Sequence, residues 1–155
     1  MLEESLSRIY AADQLNQQLV QLHPSGAAGM PLTTAGEGEI KVLGALAGVG
    51  RMVYAVDAGC ACIAAIDEAG RVLERIGQGE LIQPRSLVAD RYGRLFVADA
   101  SDRTLKVFLQ GALVARYGPS QLRVTEISAL AIDQGLLYIA DGPGGKVAVF
   151  RVRSP

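Results

Sequence analysis

A short motif occurs four times in this 155-residue chain at nearly equal spacing, and it constrains the fold more than any other feature. In each copy an aromatic residue stands three positions before an aspartate. The aspartates are separated by 44, 42 and 42 residues, and the copies are Arg8–Asp13, Met52–Asp57, Arg94–Asp99 and Leu137–Asp141. A period of about 40 residues is typical of chains in which one small structural unit recurs.

Each unit contains short apolar runs, rich in β-branched and aromatic residues, that are separated by glycine or aspartate turns such as Asp90-Arg91-Tyr92-Gly93. These runs predict strands joined by tight turns. A helical stripe is also possible near the start of the chain, formed by Leu2, Leu6, Ile9, Leu19 and Leu22, and residues 14–22 have reasonable helix propensity. The match of this segment to the other copies favours strands there. We therefore predict an all-β fold, a β-propeller of about 3.5–4 four-stranded antiparallel blades. It would form one domain, 1–155, with units of about 1–36, 37–77, 78–118 and 119–155.

The repeat resembles that of the NHL family of β-propellers. The match is carried by Leu87-Val88-Ala89-Asp90, Leu95-Phe96-Val97-Ala98-Asp99, Leu105-Lys106-Val107-Phe108 and Gly111. The resemblance covers nearly the whole chain and implies a propeller. For function it implies protein interaction, with metal-dependent lactonase or lyase chemistry, or RNA binding, as alternatives. The polar residues that the family often places just before the third strand are replaced here, for example by Ala61-Cys62 and Gly145-Lys146.

The repeat also predicts where the chain enters and leaves its blades. With strands lettered A to D from the axis outward, the chain reads B-C-D, A-B-C-D, A-B-C-D, A-B-C, and strand A of the first blade would be only Met1–Glu4. Such a propeller leaves unpaired sheet edges. The chain is then a fragment of a larger ring, closes on a second copy through these open blade edges, or closes on itself with Met1–Ser7 as an outer strand.

Composition excludes several classes of protein. Half of the residues are hydrophobic and the net charge is −1, which argues against disorder and against a global field that attracts nucleic acid. The longest nearly uncharged apolar run, 42–50, is far shorter than the roughly 20 residues that cross a bilayer, so we predict no membrane partner. Residues 71–123 hold nine basic and five acidic groups, but the chain has no Trp for base stacking. No signal peptide is visible, and the compartment stays open.

Most chemistry-bearing residues have a structural interpretation. The four repeated aspartates would form a carboxylate ring for a divalent cation, or each would accept backbone N–H bonds from the turn that follows it; we predict the latter. His23 is predicted in a surface turn. Cys60 and Cys62 would lie about 6.5–7 Å apart in an extended strand, at or beyond disulfide reach, and are predicted to be small packing residues. The glycine-rich segment 142–146 fails the P-loop pattern because Val147 stands where Ser or Thr is needed. We predict no cofactor and no metal ligand.

The loops between strands B and C and between strands D and A share one face of a propeller. Binding residues concentrate in loops on a rigid scaffold. We predict no catalytic residue, and a binding site for a protein or a small ligand on this face, formed by Arg85, Asp102, Arg103, Arg123 and Glu126. The function predicted from the sequence is therefore that of a non-enzymatic interaction or ligand-binding module.

Overall fold

The computed structural model describes residues 9–22, 25, 27, 31–32 and 40–155. Its strands form four antiparallel sheets, which we call blades 1 to 4 in chain order. The strands of blade 1 are β1 (Ile9–Asp13), β2 (Gln18–Leu22) and β3 (Pro31–Leu32). Those of blade 2 are β4 (Leu43–Val49), β5 (Met52–Asp57), β6 (Cys62–Ile66) and β7 (Val72–Ile76).

Blade 3 also has four strands, and blade 4 has three. The strands of blade 3 are β8 (Pro84–Ala89), β9 (Leu95–Asp99), β10 (Thr104–Leu109) and β11 (Ala112–Tyr117). Those of blade 4 are β12 (Ala129–Asp133), β13 (Leu136–Asp141) and β14 (Lys146–Arg151). A single helical turn, α1 (Pro119–Leu122), lies in the loop between these two blades. No helix in the described part of the chain has the length and apolarity to cross a membrane.

This architecture confirms the predicted all-β fold of four-stranded blades. The described strands follow the predicted order B-C-D, A-B-C-D, A-B-C-D, A-B-C, and residues 18–22 form a strand rather than a helix. The strand predicted at Met1–Glu4 and the turn predicted at His23 lie outside the described residues. The unit boundaries stay a prediction.

The repeated motif places its side chains alternately on the two faces of each blade. We call the face turned toward the preceding blade the leading face and the opposite one the trailing face. Tyr54 packs into the core between blades 2 and 3, and Phe96 packs into the core between blades 3 and 4. Their predecessors in the chain, Val53 and Leu95, pack against the preceding blade. The repeated aromatics Tyr10, Tyr54 and Phe96 therefore help to pack their blades against the next blade.

Candidate functional site

The repeated aspartates hold loops in place at one face of the propeller. Asp99, at the end of strand B in blade 3, is 1% exposed. Its Oδ2 accepts the Ile82 N–H at 2.9 Å, and its Oδ1 accepts the N–H groups of Gln83 at 3.0 Å and Ser101 at 3.1 Å. One carboxylate thus joins the loop before strand A to the turn after strand B.

The same arrangement recurs in blades 2 and 4. Asp57 accepts the N–H groups of Lys41, Val42 and Gly59, and Asp141 accepts those of Thr125, Glu126 and Gly144. In blade 1, Asp13 accepts the Asn16 N–H of the turn that follows it. These bonds confirm the predicted structural role. The bonds to the loop before strand A were not predicted.

These contacts hold the buried carboxyls in the ionised form. Burial by itself raises the pKa of Asp99, but hydrogen bonds from Lys106, Ile82, Ser101 and Gln83 outweigh it, and the net effect is a pKa well below the usual value. Burial by itself would also raise the pKa of Asp57. Hydrogen bonds from the Val42 and Lys41 N–H groups and from the Arg75 guanidinium outweigh burial, so the pKa is lowered. The described residues contain no group of three or more His, Cys, Asp or Glu that could hold a metal ion.

The prediction for the two cysteines was wrong. Cys60 and Cys62 form a disulfide, with their Cα atoms 5.3 Å apart. Ala61 between them has a φ of 50°, so the chain is not extended here and the two Cα atoms come within normal disulfide reach. Arg75 Nη1 lies 3.4 Å from Cys60 Sγ and 3.5 Å from Cys62 Sγ.

A cleft of about 250 Å³ opens between blades 3 and 4 on the face formed by the B–C and D–A loops. Three of the five predicted binding residues, Arg85, Arg103 and Glu126, line it together. All three are exposed. Its remaining walls are formed by Gln83, Ala98, Asp99, Ala100 and Ile127.

Arg85 reaches the cleft because strand A of blade 3 is bulged. Pro84 pairs with Asp99 and Ser86 pairs with Ala98, which leaves Arg85 as the extra residue between two paired positions. A bulge re-aims a side chain and is common beside functional sites. Ser86 in turn accepts the Leu130 N–H at 3.2 Å, which links the inner strands of blades 3 and 4 beside the cleft.

Arg103 occupies the left-handed position of a B–C turn, with a φ of 58°. The equivalent positions in the other blades are Gln17, Ala61 and Gly145, which also have positive φ. Glycine adopts this conformation without a steric cost, and other residues adopt it less readily. The turn therefore presents the Arg103 side chain at a position where the fold itself would accept glycine.

The other two predicted residues do not line the cleft. Asp102 accepts hydrogen bonds from the Thr104 N–H, the Thr104 hydroxyl and Arg116. Arg123 ends helix α1 in the left-handed conformation, and its carbonyl oxygen accepts a bond from Lys146. Both lie in loops between strands, but the sequence does not determine which way each loop turns its side chains.

A second cavity, of about 440 Å³, lies between the same two blades and is lined by residues of their A–B turns. There Asp90 accepts a bond from Arg94 Nε at 2.7 Å, and the Tyr92 hydroxyl lies 3.0 Å from Ser154 Oγ. Burial leaves Arg94 Nη2 without a hydrogen-bond partner among the described residues. In the sequence, Asp90 belongs to the repeat and Tyr92 to the turn after it, and no motif indicates this cavity.

A third and more apolar groove, of about 660 Å³, runs along the outer edge of blade 4 beside β14. Blade 4 has three described strands, and the groove occupies the position beside β14 at which the other blades have strand D, between β11 and β14. Its apolar walls include Val107, Val114 and Phe150. Arg94, Arg151 and Arg153 are the only charged residues that line it within the described part of the chain.

No protein-family model matches this sequence, and a search of curated proteins gives no significant match. Solved structures do match. A chain of a crystal structure of a nidogen/laminin complex is 18% identical, with a TM-score of 0.71 over 95% of this chain and 57% of that chain. The WD40 β-propeller domain of Doa1 is 14% identical, with a TM-score of 0.68 over 96% of this chain and 48% of that chain. This protein has a β-propeller fold.

The propeller also resembles the computationally designed Ika4 protein, which is 17% identical with a TM-score of 0.64. This match covers 98% of the present chain and 88% of the designed one. The chain thus spans about half the length of the nidogen/laminin and Doa1 chains and most of the designed protein. At these identities the similarity establishes the fold and leaves the NHL resemblance a prediction.

Proposed function

We propose that this propeller is a non-enzymatic recognition module, and that the cleft between blades 3 and 4 binds an acidic side chain presented by a partner protein. The observation that carries the proposal is the state of Arg85 and Arg103. Both are exposed, both line one cleft, and neither makes an ion pair or hydrogen bond through its side chain within the described residues. By contrast, Arg71, Arg75, Arg94 and Arg116 each pair with an aspartate.

The chemistry of the cleft favours a carboxylate. A guanidinium presents several N–H donors in a planar fork, which matches the two oxygens of a carboxylate. The negative charge of Asp99 is offset, because Lys106 pairs with it at 2.7 Å and neighbouring N–H groups occupy its oxygens, so two guanidinium groups face the single carboxylate of Glu126. Glu126 at the rim can accept an N–H from the partner's backbone beside the bound side chain.

The size of the cleft favours a protein partner over a free small molecule. Pockets for drug-sized ligands usually span about 300–1,000 Å³ and enclose most of the ligand. This cleft, at about 250 Å³, is smaller than that range and is open to solvent. The cleft can hold one side chain that projects from the surface of a partner protein. The propeller fold is common among interaction modules, which supports binding of a protein partner.

The proposal can be tested with a pair of short peptides. The probes are acetyl-Gly-Glu-Gly-amide and its glutamine counterpart, titrated into isotope-labelled protein and followed by NMR. We expect the glutamate peptide alone to shift the signals of Ala100, Arg103 and Glu126. Arg103→Gly should weaken this binding by about two- to fivefold, the loss expected for one solvent-exposed ion pair.

The matched control is Arg153→Gly, which removes an exposed arginine that lines the groove beside β14 and not the cleft, and it should leave the affinity unchanged. Because the Arg103 position accepts glycine, Arg103→Gly should fold normally and separate binding from stability. Equal shifts with the two peptides, or unchanged affinity in Arg103→Gly, would overturn the proposal.

The alternatives implied by the NHL resemblance stay predictions. A lactonase or lyase would use carboxylates near the axis, and Asp90 is committed to the Tyr92 and Arg94 N–H groups of its own turn. RNA binding rests on the basic segment 71–123, in which four arginines already pair with aspartates. Among the described residues, no site geometry specifically favours either alternative.

A further inference from the structure

The trailing face of blade 4 is an apolar surface that the same repeat buries in every other blade. Val147 in β14 is 59% exposed. Its counterparts, six residues after the aspartate in blades 1, 2 and 3, are Leu19, Ile63 and Leu105, which are 1%, 0% and 2% exposed. Each of those three packs beneath the blade that follows it.

The rest of this face is also apolar. The strand register places Ala131, Tyr138 and Val149 side by side across the three strands of blade 4. Val149 is 51% exposed, whereas its counterpart Val107 in blade 3 is 4% exposed. Contiguous exposed apolar patches of this kind mark interaction surfaces.

The leading face of blade 1 shows the complementary pattern. Ile9 in β1 is 49% exposed. Its counterparts in blades 2, 3 and 4 are Val53, Leu95 and Leu137, which are 3%, 1% and 3% exposed because each packs against the preceding blade. Ile9 pairs with Leu22 across β1 and β2, which extends the apolar face.

Among the described residues, the chain therefore exposes one trailing face and one leading face, and at each of its three blade junctions a trailing face packs against a leading face. We propose that a second copy of this chain docks head to tail, with blade 4 of each copy stacked on blade 1 of the other. A contact between two different surfaces forms a closed ring when its rotation closes. Each junction of this ring repeats the packing already present between blades 1 and 2, 2 and 3, and 3 and 4.

The sizes agree with a ring of two chains. This chain matches 57% and 48% of the nidogen/laminin and Doa1 chains, so two copies supply about as much chain as one of those structures. Two sets of four blades make eight, which is within the range of known propellers. The inference does not depend on the proposed carboxylate cleft, which lies between blades 3 and 4 of a single chain.

The test is the mass of the 155-residue chain in solution, measured by size-exclusion chromatography with light scattering and by sedimentation equilibrium. We expect twice the chain mass of 16.3 kDa at concentrations of about 10–100 μM. Val147→Asp and Ile9→Asp should each weaken the dimer by about 100-fold or more, because each places an uncompensated charge in an apolar junction. Both positions are exposed in the single chain, so both variants should keep the wild-type circular dichroism.

Leu73→Asp is the matched control. Leu73 lies on the outer strand of blade 2 and is 59% exposed, the same as Val147, but belongs to neither end face. It should leave the dimer intact. A monomer throughout the concentration range overturns the proposal. A dimer that Ile9→Asp does not affect also overturns it, because a symmetric contact between two copies of blade 4 would not use blade 1.

Discussion

Lys106 Nζ lies 2.7 Å from Asp99 Oδ2 inside blade 3, and the two side chains are 3% and 0% exposed. The same ammonium group donates to the Glu80 carbonyl oxygen, also at 2.7 Å. One cation therefore joins strand C, the end of strand B and the loop that enters the blade. This contact lies directly behind the cleft that carries Arg85 and Arg103.

Replacing Lys106 with Met should lower the free energy of unfolding by about 3–5 kcal/mol, because it leaves the Asp99 carboxylate buried without its cation. Urea unfolding followed by circular dichroism measures the change. Arg116→Met is the control: Arg116 also pairs with an aspartate, Asp102, but is 57% exposed, and such pairs contribute about 0–1 kcal/mol. Equal losses in the two variants would show that burial of the pair does not determine its contribution.

Stability should fall in acid. The pKa values of Asp57, Asp99 and Asp141 are all lower in the folded protein than the usual value of 3.8. For Asp141 the largest cause is the hydrogen bond from the Thr125 N–H. The unfolded chain therefore binds protons at a higher pH than the folded one. The stabilisation is fully present above about pH 5 and is lost as the pH falls below the usual value.

The measurement is the melting temperature between about pH 7 and pH 2.5, compared with that of Asp57→Asn, which has one titrating group fewer and should show a shallower decline. A wild-type melting temperature that stays constant below pH 4 would contradict the assignment.

Phe96 and Tyr138 occupy the same repeat position but should respond differently to truncation. Phe96 is 5% exposed in the core between blades 3 and 4, and Phe96→Ala should cost about 3–5 kcal/mol of unfolding free energy. Tyr138 lies on the trailing face of blade 4. Tyr138 is half-buried, so at concentrations low enough to keep the chain monomeric Tyr138→Ala should cost less than Phe96→Ala, about 1–2 kcal/mol. Denaturant titrations of dilute protein compare the two, and equal costs would contradict the exposure of the blade 4 face.

The disulfide between Cys60 and Cys62 should contribute little to stability. It closes a loop of sequence separation 2, and so short a loop removes little entropy from the unfolded chain, about 1–2 kcal/mol. Reduction should lower the melting temperature by a few degrees while far-UV circular dichroism stays unchanged. Thiol titration of the unreduced protein checks the bond itself: two free thiols under oxidising conditions would show that it does not form.

The blade order could be predicted from sequence because each motif carries its own evidence. An aromatic three residues before an aspartate marks strand B in every copy, and the strands before and after it follow from turns and spacing. The direction of Phe96 and Leu95 toward opposite blades follows from strand alternation alone.

The cleft could be predicted only in part, because its shape depends on details of the backbone conformation that residue types alone do not determine. Arg85 reaches the cleft through a bulge in β8, and Asp102 is drawn away from it by Thr104 and Arg116. The loop contacts of Asp99 come from the backbone N–H groups of Ile82 and Gln83, which any residue except proline would supply. The disulfide could not be predicted because the Cα–Cα distance expected from sequence assumed an extended strand. The positive φ of Ala61 brings the two cysteines closer than that.

Among the described strands β14 pairs only with β13, and this free edge has a consequence for how the protein behaves at high concentration. An unpaired strand is a template for edge-to-edge growth into aggregates, and proteins commonly block it with charge. Here Lys146 and Arg151 stand at the two ends of the strand, and Arg94 and Arg153 line the groove beside it. Two such edges brought together would repel each other through like charges, while the apolar face of the same blade, carrying Val147 and Val149, remains free to stack. We therefore expect the positive charge along this strand to oppose its edge-to-edge growth into fibres.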